Sequence, residues 1–254
     1  MRETCACACP ERLGSKEAGS DTCAIVLAGG SGERFGDPRG KQFVELCDLP
    51  LVAWSILAFD RAPSVDALVV VCAADRMDEM RYDVLARIEL RHEVTLAAGG
   101  ATRQDSVFSG LMASPASCEF VAIHDGARPL IEQDDIERCI AAVRDDVRVD
   151  GAICAAQVTD TIKVVDDSGA ITTTPDRACL WSAQTPQTFR RAAIIAAHEA
   201  ALLEGAIGTD DASLLERKGK RVLVVQTPRD NLKVTVPEDL GVAEAILAAR
   251  MGIS

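Results

Sequence analysis

The stretch "CAIVLAGGSGERFGDPRGKQF" (residues 23–43) decides the fold class. Its first six residues are a short, continuous apolar run, the pattern of a strand buried on both faces. Five glycines and three cations then share residues 27–43 of a chain that is otherwise acidic. Glycines let a backbone approach a phosphate closely, and successive N–H groups form a concave anion nest. Arg34 adds a planar fork of donors and Lys41 a mobile point charge.

Two familiar phosphate loops fail on spacing. Gly30, Gly32 and Gly36 make G-x-G-x-x-x-G, one residue longer than the dinucleotide fingerprint, and the acidic residue expected after the second strand is missing. Between Gly36 and Gly40-Lys41 stand three residues where a P-loop has four, and Gln42 occupies the place of its Ser or Thr.

Outward from this loop, apolar runs alternate with amphipathic stretches. "LPLVAWSILAF" (49–59) predicts a helix starting near Pro50, with Leu51, Trp54 and Ala58 on one face. "ALVVVCA" (67–73), "EVTLAA" (93–98), "EFVAIHD" (119–125) and "GAICAA" (151–156) read as further strands. Between them come a polar helix over 75–91, a helix in "TRQDSVFSGLMA" (102–113), and one marked by Ile136, Ile140 and Val143. Residues 159–176 break the rhythm: two short strands about Asp-Asp-Ser-Gly predict a β-hairpin, which is a lid, a dimer arm or an inert excursion. "RRAAIIAAHEAALLEG", "TDDASLLERKG", the strand "RVLVVQ" and a helix after Pro237 follow. The expected fold is α/β: a Rossmann-like, doubly wound, mostly parallel sheet with an inserted hairpin (about residues 157–176). Ligands of such sheets sit at the carboxyl ends of the strands, where both the glycine loop and "HDGARP" (124–129) open.

The totals narrow the function. Net charge is −12, which disfavours a nucleic-acid backbone or an anionic membrane as partner. No apolar run nears the roughly 20 residues of a membrane span. Hydrophobic residues make up 48% and aromatics 4%, so a large, mostly aliphatic core is expected. Cys72, Cys139 and Cys154 lie in apolar runs and read as small buried hydrophobes, which fits a reduced, cytoplasmic protein without a secretory leader. Residues 1–21 read as a disordered Cys-rich extension before one domain over 22–254. Within that extension Cys5, Cys7 and Cys9 alternate with alanine, a spacing that could catch a soft metal.

Leu27, Gly29, Gly30, Gly32, Arg34, Lys41 and Gln42 resemble the signature of nucleotidyltransferases that join a sugar or polyol phosphate to a nucleotide. With "GGATRQDSVFSGL" (99–111), "HDGARP", "TPDRACLWSAQTPQTF" (174–189), "TDDAS" (209–213) and "DNLKVTVPEDL" (230–240), the chain resembles the 2-C-methyl-D-erythritol 4-phosphate cytidylyltransferase family from about residue 23 onward. The resemblance implies transfer of CMP from CTP to the polyol phosphate, with Mg²⁺ as cofactor and pyrophosphate as product. It implies catalytic cations at Arg34, Lys41, Arg177 and Lys233, and CTP contacts at Ala28, Gly29, Gly30, Gly32, Gly100, Ala101 and Ser106. Polyol-phosphate contacts fall on Arg128, Thr161, Thr185, Arg177 and Lys233, and metal neighbours on Asp125 and Asp230. It also implies a homodimer in which the hairpin arm crosses over, so that Thr161 serves the neighbouring site.

The acceptor is a phosphate monoester with a second pKa near 6, already ionised at neutral pH, so no general base is required. Two rivals share parts of this pattern: a cytidylyltransferase for ribitol 5-phosphate, and a catalytically silent nucleotide-binding partner. The family usually has proline before the Lys-Gln pair, where this chain has Gly40. Glycine there predicts a more mobile Lys41 loop.

Overall fold

The computed structural model describes residues 21–30, 35 and 39–252. The Cys5/Cys7/Cys9 extension, Gly32, Arg34 and residues 36–38 of the expected mobile loop lie outside the described residues. In chain order the strands are β1 (Thr22–Leu27), β2 (Glu45–Leu46), β3 (Leu49–Pro50), β4 (Val65–Cys72), β5 (Val94–Ala98) and β6 (Phe120–Asp125). They continue with β7 (Gly151–Gln157), β8 (Val164–Val165), β9 (Ile171–Thr173), β10 (Trp181–Arg190) and β11 (Val222–Gln226). The helices are α1 (Leu51–Asp60), α2 (Arg103–Ala113), α3 (Gln133–Arg144), α4 (Arg191–Glu204), α5 (Asp211–Glu216) and α6 (Pro237–Met251).

Seven strands form one sheet in the order β11-β7-β10-β6-β1-β4-β5, and β10 alone among them runs antiparallel to its neighbours. The pleat explains why the central strands read as continuous apolar runs. Ala24 and Val26 of β1 pack on one face with Val52, Ile56 and Phe59 of α1 and Ile136 and Ile140 of α3. Cys23 and Ile25 point to the other face, against Val107 and Leu111 of α2 and Ile194 and Ala201 of α4. Successive side chains thus serve opposite layers, so every position must be apolar. Cys72, Cys139 and Cys154 are fully buried in these layers, as expected.

Two local expectations are corrected, and two elements were not anticipated. Residues 75–91 form no single helix: a 3-10 turn (Ala74–Arg76), one α turn (Met77–Glu79), a π turn (Met80–Val84) and a 3-10 turn (Leu85–Arg87) succeed one another. Met80 and Val84 are the buried side chains of this run, while Arg87 is drawn onto Glu45 and the Asp48 carbonyl. Helix α1 has no single apolar face, because eight of its ten residues are buried. The β2–β3 ribbon, turning through Cys47 and Asp48 at positive φ, gives no alternating signal in two-residue strands. Strand β10 carries Pro186 and the polar run "SAQTPQT", which argue against a central strand. The proline sits where the pairing with β7 is irregular, between Ala183 and Gln187. The polar side chains are buried but bonded, for example Gln187 to Asp210 and to the Ala212 N–H.

The expected hairpin is present as β8 and β9, closed by Asp166, whose carboxylate accepts from the Ser168 and Ala170 N–H groups. Val164, Val165 and Ile171 on it are exposed.

Candidate active site

The carboxyl ends of four strands are stitched into one rim. Ala28 N–H donates to the Val71 carbonyl (2.7 Å), Gly99 N–H to the Cys72 carbonyl (2.7 Å) and Gly126 N–H to the Leu27 carbonyl (2.9 Å). Above this rim lies a cavity of about 350 Å³, within the range that holds a small-molecule substrate. Its floor is Gly29 and Gly30 after β1, one wall is the 100–103 loop and the start of α2, and the other carries Asp125, Ala127 and Lys233.

The 100–103 wall is built locally. Thr102 caps α2 in a reciprocal box with Asp105: the Thr102 hydroxyl accepts from the Asp105 N–H, and the Asp105 carboxylate accepts from the Thr102 N–H. Ser106, one turn in, accepts from Gly100 N–H (3.1 Å) and donates to the Thr102 carbonyl (2.9 Å). A Cβ at Gly100 would stand 2.3 Å from that of Asp105, so glycine is required by close approach.

Opposite, Lys233 belongs to a segment fixed by Val234 N–H to the Ala127 carbonyl (2.8 Å) and by Asn231, whose amide donates to the Gln184 side chain and the Thr185 carbonyl. Lys41 reaches over from its 3-10 turn to the Val234 carbonyl at 2.8 Å.

Asp125 is the electrostatic centre. Its carboxylate accepts from Lys233 Nζ at 2.6 Å and from Arg103 Nε at 3.2 Å. Burial by itself would raise the Asp125 pKa, but the charges of Arg103 and Lys233, with help from Arg128, hold it well below the usual carboxylate range. Beneath it His124 is fully buried. Its Nε2 faces the Arg128 carbonyl (3.1 Å), an acceptor, so Nε2 carries the proton and Nδ1 accepts from the Thr185 hydroxyl (3.1 Å). That hydroxyl in turn accepts from the Asp125 N–H (3.0 Å). Burial pushes the His124 pKa down to about 4, so the imidazole is neutral at physiological pH.

A family model for 2-C-methyl-D-erythritol 4-phosphate cytidylyltransferase (IspD) matches residues 22–249. The chain belongs to this family. A 2-C-methyl-D-erythritol 4-phosphate cytidylyltransferase from Geobacter metallireducens is 42% identical over 231 residues, spanning 90% of this chain and 98% of that relative. One from Syntrophotalea carbinolica is 44% identical over 224 residues, 88% of this chain and 94% of its own. The crystal structure of 4-diphosphocytidyl-2C-methyl-D-erythritol synthase from Anaerococcus prevotii superposes with a TM-score of 0.80 at 29% identity, covering 90% of this chain and 99% of that one.

Of the residues the cytidylyltransferase resemblance singled out, the fold brings Gly29, Gly30, Lys41, Gly100, Ala101, Ser106, Asp125 and Lys233 to one cavity. Ala28, Arg128 and Thr185 stand behind it. Thr185 is 4% exposed with its hydroxyl engaged, and Arg128 donates from Nη1 to the Asn231 carbonyl while its buried Nε has no hydrogen-bond partner. Thr161 and Arg177 lie exposed on and beside the hairpin, outside the cavity lining, with Arg177 donating to the Thr159 carbonyl (3.1 Å). Asp230 is likewise outside the lining and is paired with Arg250 at 2.7 Å.

Arg103 and Asp211 were not singled out by sequence reasoning. A signal existed: Arg103 opens α2, where the helix dipole disfavours a cation, so acidic partners have to hold it there.

No group of three or more acidic, histidine or cysteine side chains capable of caging a metal occurs among the described residues. The donor set fits Mg²⁺, which commonly takes one carboxylate and fills its octahedron with substrate phosphate and water. Asp125, its pKa held well below the usual carboxylate range at the cavity wall, is the residue that would supply it. No helix among the described residues is long and apolar enough to cross a membrane.

Proposed function

We propose that this cavity transfers the cytidylyl group of CTP to 2-C-methyl-D-erythritol 4-phosphate in the cytoplasm, a step of isoprenoid biosynthesis. A phosphate oxygen of the acceptor attacks the α-phosphorus in line; the bond to the β-phosphate bridging oxygen breaks, and pyrophosphate leaves with that electron pair. The observation that carries this reading is the Lys233–Asp125–Arg103 cluster facing Lys41 across a glycine floor, at the strand ends of a chain belonging to the cytidylyltransferase family.

Gly29, Gly30 and, beyond the described residues, Gly32 and Arg34 cradle the triphosphate, and Ala28 anchors the start of that loop. Lys41 and Lys233 counter the charge that grows on the phosphate oxygens, which in a dry site lowers the barrier more than in water. Gly100 and Ala101 read the cytosine edge with backbone groups, and Ser106 holds their shape. His124 is no general base, because it is buried and both its ring nitrogens are engaged; none is needed for an ionised phosphate. Asp125 would hold Mg²⁺, with Asp230 as a more distant acidic neighbour, and the ion would supply further neutralisation of phosphate charge. Arg128 and Thr185 support the acceptor side from behind.

Thr161 on the arm and Arg177 just after it do not line the cavity of their own subunit, which supports a homodimer in which a second copy's arm completes the acceptor site. The exposed Val164, Val165 and Ile171 suit such a crossover.

The test is pyrophosphate release from CTP and Mg²⁺ with methylerythritol 4-phosphate or ribitol 5-phosphate in parallel. Turnover with the first alone is expected. Turnover with ribitol phosphate alone overturns the acceptor, and binding of CTP without turnover on either overturns the enzyme reading.

A further inference from the structure

Two residues have no role of their own in the account above: Arg103 of "TRQDS" and Asp211 of "TDDAS". The fold joins them. Arg103 Nη1 donates to Asp211 Oδ2 at 2.9 Å, while Nε of the same guanidinium donates to Asp125 Oδ1 at 3.2 Å. Asp211 is buried, with its side chain 2% exposed, and its other oxygen lies 3.5 Å from His198 Nε2. It opens α5 behind an Asp210 capping box, and His198 lies on α4, stacked against Phe108 of α2 at 6.0 Å. Asp211 therefore sits in the interior between three helices and does not line the cavity.

A buried carboxylate needs partners, and Arg103 pairs with that of Asp211 from the cavity wall. Conversely, Arg103 begins a helix, where a cation is electrostatically disfavoured, and needs the two acids to hold it. A guanidinium can bridge two carboxylates through different nitrogens, whereas an ammonium on a flexible stem cannot hold both in a fixed plane. Asp125 Oδ2 belongs to Lys233, so Oδ1 is the oxygen through which its plane is set.

We infer that Arg103 is a positioning residue: anchored on Asp211, it fixes the plane of the Asp125 carboxylate and so the separation of Asp125 from Lys233 and the bound triphosphate. The inference rests on the proposed cytidylyl transfer for its kinetic consequences but not for its geometry. A 1 Å misplacement of such a group costs about 10²-fold in rate. The loss belongs in kcat, because Arg103 acts through Asp125 rather than by holding CTP.

The experiment uses the full chain with Arg103→Lys, Arg103→Gln, Asp211→Asn and the Arg103→Gln/Asp211→Asn double variant. Wild-type turnover with methylerythritol phosphate reports on the proposed function. The variants report on Arg103. The expected result is a kcat loss of about 10²-fold in each single variant with little change in KM for CTP, no rescue by lysine, and no further loss in the double variant. Full activity in Arg103→Lys, or a rise in KM with kcat intact, overturns positioning and makes Arg103 a simple phosphate-binding charge. Should Asp211→Asn fold poorly, the two Arg103 variants carry the test. A crystal structure of Arg103→Gln reads the geometry whatever the acceptor proves to be. A rotated Asp125 carboxylate is expected, and one unmoved overturns the inference.

Discussion

Lys233 Nζ stands 2.6 Å from Asp125 Oδ2, although 108 residues separate the two in the chain. The contact joins the carboxyl end of β6 to the segment before α6, and it places a cation and the cavity's ionised carboxylate on one wall. Replacing Asp125 by asparagine keeps the shape and removes the charge. We expect kcat to fall about 10²–10³-fold, the loss typical of removing one preorganised electrostatic group. Steady-state pyrophosphate release at saturating CTP checks this; a loss under tenfold would sink Asp125 as the centre of the site.

Gly40 adopts φ 92° immediately before the turn that carries Lys41. Proline is locked near −65°, so the residue usual in the family cannot enter this backbone unchanged. A Cβ at Gly40 would also stand 2.7 Å from the Gln42 amide. Gly40→Pro and Gly40→Ala are therefore both expected to lower kcat and melting temperature rather than to tighten the loop. Equal or higher melting temperature in the proline variant, by calorimetry, would contradict the positive φ.

Gly110 lies mid-helix in α2, where alanine would ordinarily add about 1 kcal/mol of helix propensity. Here an added methyl would come within 2.5 Å of Ile25 Cγ2 and 2.9 Å of Val71 Cγ2 on the sheet. Overpacking of this kind costs about 1–3 kcal/mol and should win. Denaturant titration of Gly110→Ala is expected to show net destabilisation, and a stabilised variant would mean that the sheet yields.

Burial pushes the His124 pKa down to about 4, against about 6.5 for a free imidazole. Between those values the unfolded chain binds the proton and the folded one does not. Stability therefore falls as pH drops from about 6.5 toward 4, with a slope approaching 1.4 kcal/mol per pH unit for one proton. Asp125, with its pKa depressed, adds its own loss below the ordinary carboxylate range. Urea midpoints from pH 7 to 4 should show this slope, and His124→Asn should flatten its upper part even where it lowers stability at pH 7.

Val165 and Ile171 are 54% and 62% exposed on the hairpin. Aspartate at both positions is expected to yield monomers in analytical ultracentrifugation and to abolish turnover while CTP binding persists. An active monomer would remove the arm from the acceptor site.

Strands β1, β4 and β6 at the centre of the sheet were legible because burial on both faces leaves a near-continuous apolar run with few alternative readings. The place of the loop after β1 was legible because it follows that strand directly, and such loops open at the carboxyl rim of a parallel sheet. Strand β10 was not. Its residues are polar, and its proline is tolerated at an irregularity that exists only once β6 and β7 flank it. The broken helical run at 74–87 escaped for a related reason, since its final turn is fastened by Arg87 to a ribbon 39 to 42 residues earlier.

By itself the sequence determined the layered α/β architecture and the family, because periodicity and motif spacing are local properties of a chain. Tertiary structure decided what the motifs do to each other. It put Thr185 and His124 beneath Asp125 as a neutral hydrogen-bonded support, where the sequence resemblance had placed Thr185 among substrate contacts. It set Asp230 against Arg250, and it strung Arg103 between Asp125 and Asp211. Hydrogen bonds and ion pairs depend on positions and directions within a few tenths of an ångström, and those are fixed only when distant segments pack into one sheet.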